Sequence, residues 1–324
     1  MRLLKPLLKI AISLALIAIV LRAFDVKGVI SHFAKVDAAT LLLATVIALS
    51  IALLHTLRWL AVIKANGTRL GFKTALQLVL IGHFFNQALP SSVGGDAVRI
   101  WCAYRAGLNF SAAANTVIID RALTLFSLLL LTAAGLPWLF EIITDPAARW
   151  ALSTVIFAGV AGFGVFLALR RLPQLIARWR VVRALLSLAA LARKVMSRAR
   201  YALPIILLSV LSFIGFAIIV FYIAHAMQLD ITLRDCVLLV PPVILITVVP
   251  VSIAGWGVRE GAMVVAFGFI NVPASAAFAV SILFGLTLAA ASLPGSLLWW
   301  LSGYSIRTVA ADAEALAVKE PDPG

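Results

Sequence analysis

The chain has 324 residues, of which 63% are apolar and 12% charged, with a formal net charge of +14 and a mean hydropathy of +1.10. A soluble domain is about 45–50% apolar and about 25% charged, so water is excluded as its main solvent. Of the two structures that satisfy their backbone inside a bilayer, long unbroken apolar runs select helices over barrel strands. The basic excess reads as loop charge on the cytoplasmic face. No basic stretch is interleaved with base-stacking aromatics, so nucleic acid is excluded as a partner.

The first apolar run, 4–22, follows Arg2, Lys5 and Lys9. It resembles the start of a signal peptide but has no small-x-small cleavage site before Arg22, and is read as a retained membrane helix. Further apolar segments are 40–57, 74–90, 117–140, 151–169, 203–226, 236–254 and 277–301. Segments 74–90 and 236–254 end in Pro- and Ser/Gly-rich sequence, which breaks helices.

Loop charge orients the chain. The 170–202 loop carries Arg170, Arg171, Arg178, Arg180, Arg183, Arg193, Lys194, Arg198 and Arg200 with no acid, and is assigned to the cytoplasm. Residues 1–9 and 58–73 (Arg58, Lys64, Arg69, Lys73) join it, and 141–150 lies outside. Parity then requires 74–99 to enter the membrane and return to the same face, and 236–259 to do so from the other. The prediction is an all-α polytopic membrane protein with six spans and two broken re-entrant segments, eight full spans being the alternative. Both termini are expected in the cytoplasm and the protein at the plasma (inner) membrane. Residues 1–305 form one transmembrane domain, and 306–324 a polar disordered tail.

Pro90-Ser91-Ser92-Val93-Gly94-Gly95-Asp96-Ala97-Val98-Arg99 and Pro250-Val251-Ser252-Ile253-Ala254-Gly255-Trp256-Gly257-Val258-Arg259 share Pro, Ser, Gly, Val and Arg at matched positions, 160 residues apart. The same offset carries 117–140 onto 277–300 and 40–57 onto 200–217. Units of about 40–140 and 203–301 are therefore read as a repeat, inverted in the predicted topology, a common plan for transporters.

Irregular backbone at membrane depth survives only buried in protein or lining a watery cavity. Gly94, Gly95, Gly255 and Gly257 allow positive φ and close approach, and Asp96 is placed to cap a helix starting at Ala97. Arg99 and Arg259 follow these helix starts, so two positively polarised niches would suit an anionic group such as a lipid phosphate. Asp120 and Arg121 open an otherwise apolar helix and are expected to pair with Arg99 and Asp96. Glu260 is a local pairing or proton-relay candidate, His83 and Asn86 share one face of the first re-entrant segment, and Trp256 stacks or fills space. The 170–202 loop reads as an interfacial amphipathic helix or as a topology signal alone. Cys102 and Cys236 are isolated and the four histidines scattered, so neither a disulfide nor a metal or other cofactor is expected.

Asn86…Leu89-Pro90…Gly94-Gly95-Asp96…Arg99, Asp120-Arg121 and Gly255-Trp256-Gly257-x-Arg259-Glu260-Gly261 together resemble the membrane region of the lysylphosphatidylglycerol synthase/flippase family, over roughly residues 5–305. The resemblance implies flippase-like handling of an anionic, polyprenyl or hopanoid lipid. The family's aminoacyl-transferase domain has no counterpart after the last helix, so synthase activity is not expected to carry over. Two alternatives stay open: a membrane-embedded transferase on a lipid-linked donor, using Asp96, Asp120 or Glu260, and a non-catalytic partner of a separate lipid-modifying enzyme.

Overall fold

The computed structural model describes residues 26–89, 94–169, 180–248 and 255–303. The predicted first membrane helix, the 306–324 tail, Pro90–Val93 and Pro250–Ala254 lie outside the described residues. All eleven described elements are α-helices: α1 (Val26–Phe33), α2 (Ala38–Asn66), α3 (Phe72–Ala88), α4 (Gly94–Arg105), α5 (Phe110–Ile142), α6 (Pro146–Ala168), α7 (Arg180–Met196), α8 (Ala199–Ala226), α9 (Leu233–Thr247), α10 (Val258–Gly268) and α11 (Ala274–Leu301).

Local chemistry sets many of the boundaries. Asp37 and Asn109 cap α2 and α5 by accepting the N–H groups of Thr40 and Ala112, and a Thr232/Asp235 capping box starts α9. Gly67, at φ +89°, closes α2. Among the described residues, α2, α5, α6, α8 and α11 are long and apolar enough to cross a membrane. The chain is thus a multi-pass helical membrane protein.

The remaining core helices are too short to span. α3 and α4 form an antiparallel hairpin: Gly95 N–H donates to Asn86 Oδ1 at 3.0 Å, and Gly82 lies against Gly95 and Arg99. α9 and α10 form a second hairpin. Their 11–17 residues reach about 17–25 Å at 1.5 Å per residue, against about 30 Å of hydrocarbon.

Shifting the first four core helices by 160 residues lays α2 on α8, α3 on α9, α4 on α10 and α5 on α11, within four residues at every boundary. Packing follows the same exchange. α2 packs extensively on α8; α3 against α11 matches α9 against α5, and α2 against α11 matches α8 against α5. A glycine recurs at the crossings, Gly295 beside the Leu80 carbonyl and Gly135 beside Leu238, the small-residue device by which membrane helices approach closely. The hairpins enter from opposite ends of the bundle. α4 finishes where α5 begins, whereas α9 begins where α5 finishes, with Arg234 bonded to Glu141 at 3.3 Å.

Two predicted boundaries are corrected. The segment read as ending at 57 continues to Asn66, and the one read as starting at 117 begins at Phe110. Arg58 interrupted the first of these runs, but it lies inside α2, its guanidinium paired with Asp120 of α5. Arg58 is therefore no loop residue. α7 is amphipathic as expected, yet Leu188, Leu191, Ala192 and Val195 pack on Val62, Ile119, Leu123 and Ile205 of the bundle.

Candidate functional site

The core of the first repeat is an ion network. Asp120 of α5, wholly buried, accepts from Arg58 Nε at 2.8 Å and Nη2 at 3.3 Å, and from Arg99 Nη2 at 3.0 Å. Asp96 of α4 accepts from Arg121 Nε and Nη2 at 2.7 and 2.9 Å. The expected Asp120–Arg99 and Asp96–Arg121 pairings are both present. Asp96 is not the cap of its helix: it sits in the first turn with its carboxylate held by Arg121. The Arg99 guanidinium lies 3.9 Å from the centre of the Trp59 ring, a contact strengthened by desolvation.

Three arginines against two aspartates leave one positive charge in excess. Arg58 and Arg99 are buried; Arg121 alone is open, its side chain 44% exposed. It reaches a polar cavity of about 150 Å³ with His55, His83, Asn86, Gln87 and Ser292, also lined by apolar side chains including Phe216. The cavity lies between the repeats, on α2, α3, α5, α8 and α11. Its lining sits within about five residues of the midpoints of the four long helices, near mid-membrane by their rise per residue. His55 Nδ1 and His83 Nε2 are 3.2 Å apart, so two of the supposedly scattered histidines meet here.

Gly94 and Gly95 serve close approach rather than positive φ. A Cβ at Gly95 would stand 2.0 Å from the Gly82 carbonyl oxygen, and one at Gly94 2.6 Å from Leu89. In the second repeat Gly255 and Gly257 do hold positive φ, +81° and +87°. Arg259 is buried and donates through Nε and Nη2 to Glu260 Oε1, which also accepts from the Ser281 hydroxyl at 3.2 Å. The other oxygen, Oε2, takes the Gly257 N–H. Glu260 thus pairs locally, and Trp256 stacks, its ring centre 4.7 Å from the Arg259 guanidinium. The two matched arginines, Arg99 and Arg259, are ion-paired and enclosed, whereas Arg121, also ion-paired, is the one of these arginines that faces open space.

The repeats also differ in how their clefts are filled. In the first, Phe85 and Trp101 pack on Trp299, with centroids at 4.8 and 6.1 Å. The positions 160 residues away are Leu245, Gly261 and Leu139, and all three line an apolar groove of about 690 Å³ between α5, α6, α9 and α10. Leu139 lies 18 residues along α5 from Arg121, so groove and cavity are about 27 Å apart along that helix.

Sequence reading missed Arg58, His55, Gln87 and Ser292. Arg58 carried a signal: the apolar pattern resumes at Leu60 and runs to Ile63, so the arginine sits within a helix rather than after one.

These features define a multi-pass α-helical membrane protein with an ion-paired core and a polar cavity between two helical repeats. The chain belongs to the family described as the lysylphosphatidylglycerol synthase TM region, whose model matches residues 7–295. It is similar to a UPF0104 membrane protein of Methanocaldococcus jannaschii, 23% identical over 86% of this chain and 89% of the relative. A second UPF0104 membrane protein, from Methanothermobacter thermautotrophicus, is 32% identical over 38% of this chain and 36% of its own length.

Proposed function

We propose that this protein binds a lipid with an anionic headgroup in the cavity between its repeats and carries that headgroup across the membrane, as a flippase. The observation that carries the reading is the open Arg121 guanidinium, paired with Asp96 within a network that holds one positive charge in excess, facing a mid-membrane cavity lined by hydrogen-bonding side chains. An intramembrane charge is costly, about 2.5–3.5 kcal/mol on insertion scales, and marks a functional site by default. A 150 Å³ cavity suits a phosphate-sized group and is below the roughly 300–1,000 Å³ of a pocket that encloses a whole ligand. The hydrocarbon chains therefore stay in the bilayer or in apolar grooves.

Two further points support the reading. Hairpins entering from opposite ends fit an inverted repeat, the plan in which substrate sites lie at the repeat interface and gating rocks one unit against the other. The transferase alternative lacks a free carboxylate: Asp96, Asp120 and Glu260 are each held by arginine. Reconstituted protein should accelerate inward or outward movement of NBD-labelled phosphatidylglycerol in liposomes, read by dithionite quenching. Arg121→Gln should slow it by about tenfold or more, the loss expected for a desolvated charged contact. Equal rates in protein-free and protein-containing liposomes, with polyprenyl phosphate as well as phosphatidylglycerol, would reject transport.

A further inference from the structure

The headgroup reading leaves the two imidazoles of the cavity unused. His55 comes from α2 and His83 from α3, their rings edge to face with centroids 5.2 Å apart. One hydrogen bond between imidazoles needs an N–H on one ring and a lone pair on the other. The contact survives with both rings neutral, and equally with one ring protonated. With both protonated it is lost, since each nitrogen would then be a donor. The pair can therefore hold one extra proton without changing its geometry.

Charge decides when it does so. The groups facing the pair are Arg121 from α5 and, deeper, Arg58 of α2, Arg99 of α4, Asp96 of α4 and Asp120 of α5. α8 and α11 contribute Phe216, Leu288, Ala291 and Ser292, none of them titratable. The network already carries one positive charge in excess, and the pair stands beside Arg121 in the same cavity. An anion in the cavity reverses that balance. Among the described residues no third metal-ligating side chain joins the two histidines, so the ligand that their geometry fits is a proton.

We propose that the cavity binds a phosphodiester anion together with one proton, the proton taken from solvent onto the His55–His83 pair. This rests on the headgroup reading above and adds the ion that accompanies the headgroup. By linkage, the anion strengthens proton binding by the same factor as the proton strengthens anion binding. Transport of the anion is then accompanied by a proton, and a pH gradient biases its direction.

The test uses full-length protein in detergent with two probes whose charge is constant across the range, phosphatidylglycerol and dimethyl phosphate. Affinity is measured between about pH 5 and 8, where histidine changes charge. Binding should tighten by up to about tenfold per pH unit on acidification, one proton's worth, and about one proton should be taken up per ligand bound in weakly buffered solution. The H55Q/H83Q variant should lose both the pH slope and the proton uptake whatever its absolute affinity, its melting curve reporting whether it is folded. Arg121-dependent binding of constant affinity without proton uptake would overturn the proton proposal while leaving the headgroup site standing. No saturable binding of either probe at any pH would instead reject the headgroup site. Equal pH-dependent binding of dimethyl phosphate would keep the coupling and assign the cavity to the free anion.

Discussion

At the scale of single residues the molecule turns on Asp120, which holds two arginines inside a bilayer. Removing one member of a buried ion pair leaves an uncompensated charge and costs about 3–5 kcal/mol. Asp120→Asn should therefore lower the melting temperature markedly in detergent, and it raises the network's excess from one positive charge to two. Adding Arg58→Gln returns the excess to one, so the D120N/R58Q protein should be more stable than D120N alone. A double-mutant cycle on thermal unfolding reads that coupling directly; additive losses would mean that the two side chains do not share a network. Arg259 and Arg99 stand at matched positions but differ here. Glu260, the next residue along the chain, does for Arg259 what Asp120 does for Arg99 from a neighbouring helix.

Between elements, glycine decides how closely helices meet. The Gly95→Ala methyl would stand 2.0 Å from the Gly82 carbonyl oxygen, a backbone atom that cannot rotate aside. The α3–α4 hairpin must open, displacing Asn86 and Arg99 together; the expected result is lost headgroup transport and a lower melting temperature. Gly261→Ala is the control, because nothing lies within 4 Å of its added methyl. The apolar groove between α5, α6, α9 and α10 is the place where the second repeat has lost the aromatic filling of the first. Restoring it with Leu139→Trp, Leu245→Phe and Gly261→Trp should fill the groove while leaving the Arg121 cavity intact. If the groove holds a hydrocarbon chain, co-purifying lipid should fall, measured by mass spectrometry, with binding of dimethyl phosphate unchanged.

For the whole molecule, the consequence of two hairpins entering from opposite ends is a pattern of accessibility. Cysteines placed at Lys73 and Arg105, the two ends of the α3–α4 hairpin, should react with an impermeant maleimide from one side of the membrane. Cysteines at Arg234 and Asn271, flanking α9–α10, should react only from the other, in a background where Cys102 and Cys236 are replaced. Eight full spans would separate Lys73 from Arg105 instead. The same exchange of repeats explains why the cavity lies where it does. The inner helices of both units, α2 with α8 and α3 with α11, meet at mid-height, and two helical units rocking about that contact would expose it to either face in turn.

Hydropathy determined the class of the protein and located its five described long helices, and the matched Pro-to-Arg motifs supplied the 160-residue offset on which the described helices fall. These follow from local composition, because a bilayer constrains the length and polarity of each segment independently of its neighbours. The Arg99–Asp120 and Arg121–Asp96 pairs were legible too, since isolated charges in an apolar chain have few partners to choose from. Which cation remains open was decided only in three dimensions. Arg58 lies 62 residues from Asp120 in the chain, and its arrival in the core is what gives the network its extra charge. The meeting of His55 with His83, 28 residues apart, and the emptying of one cleft where its counterpart is filled by aromatics likewise depend on how helices cross. Those are properties of packing, to which a hydropathy profile is blind.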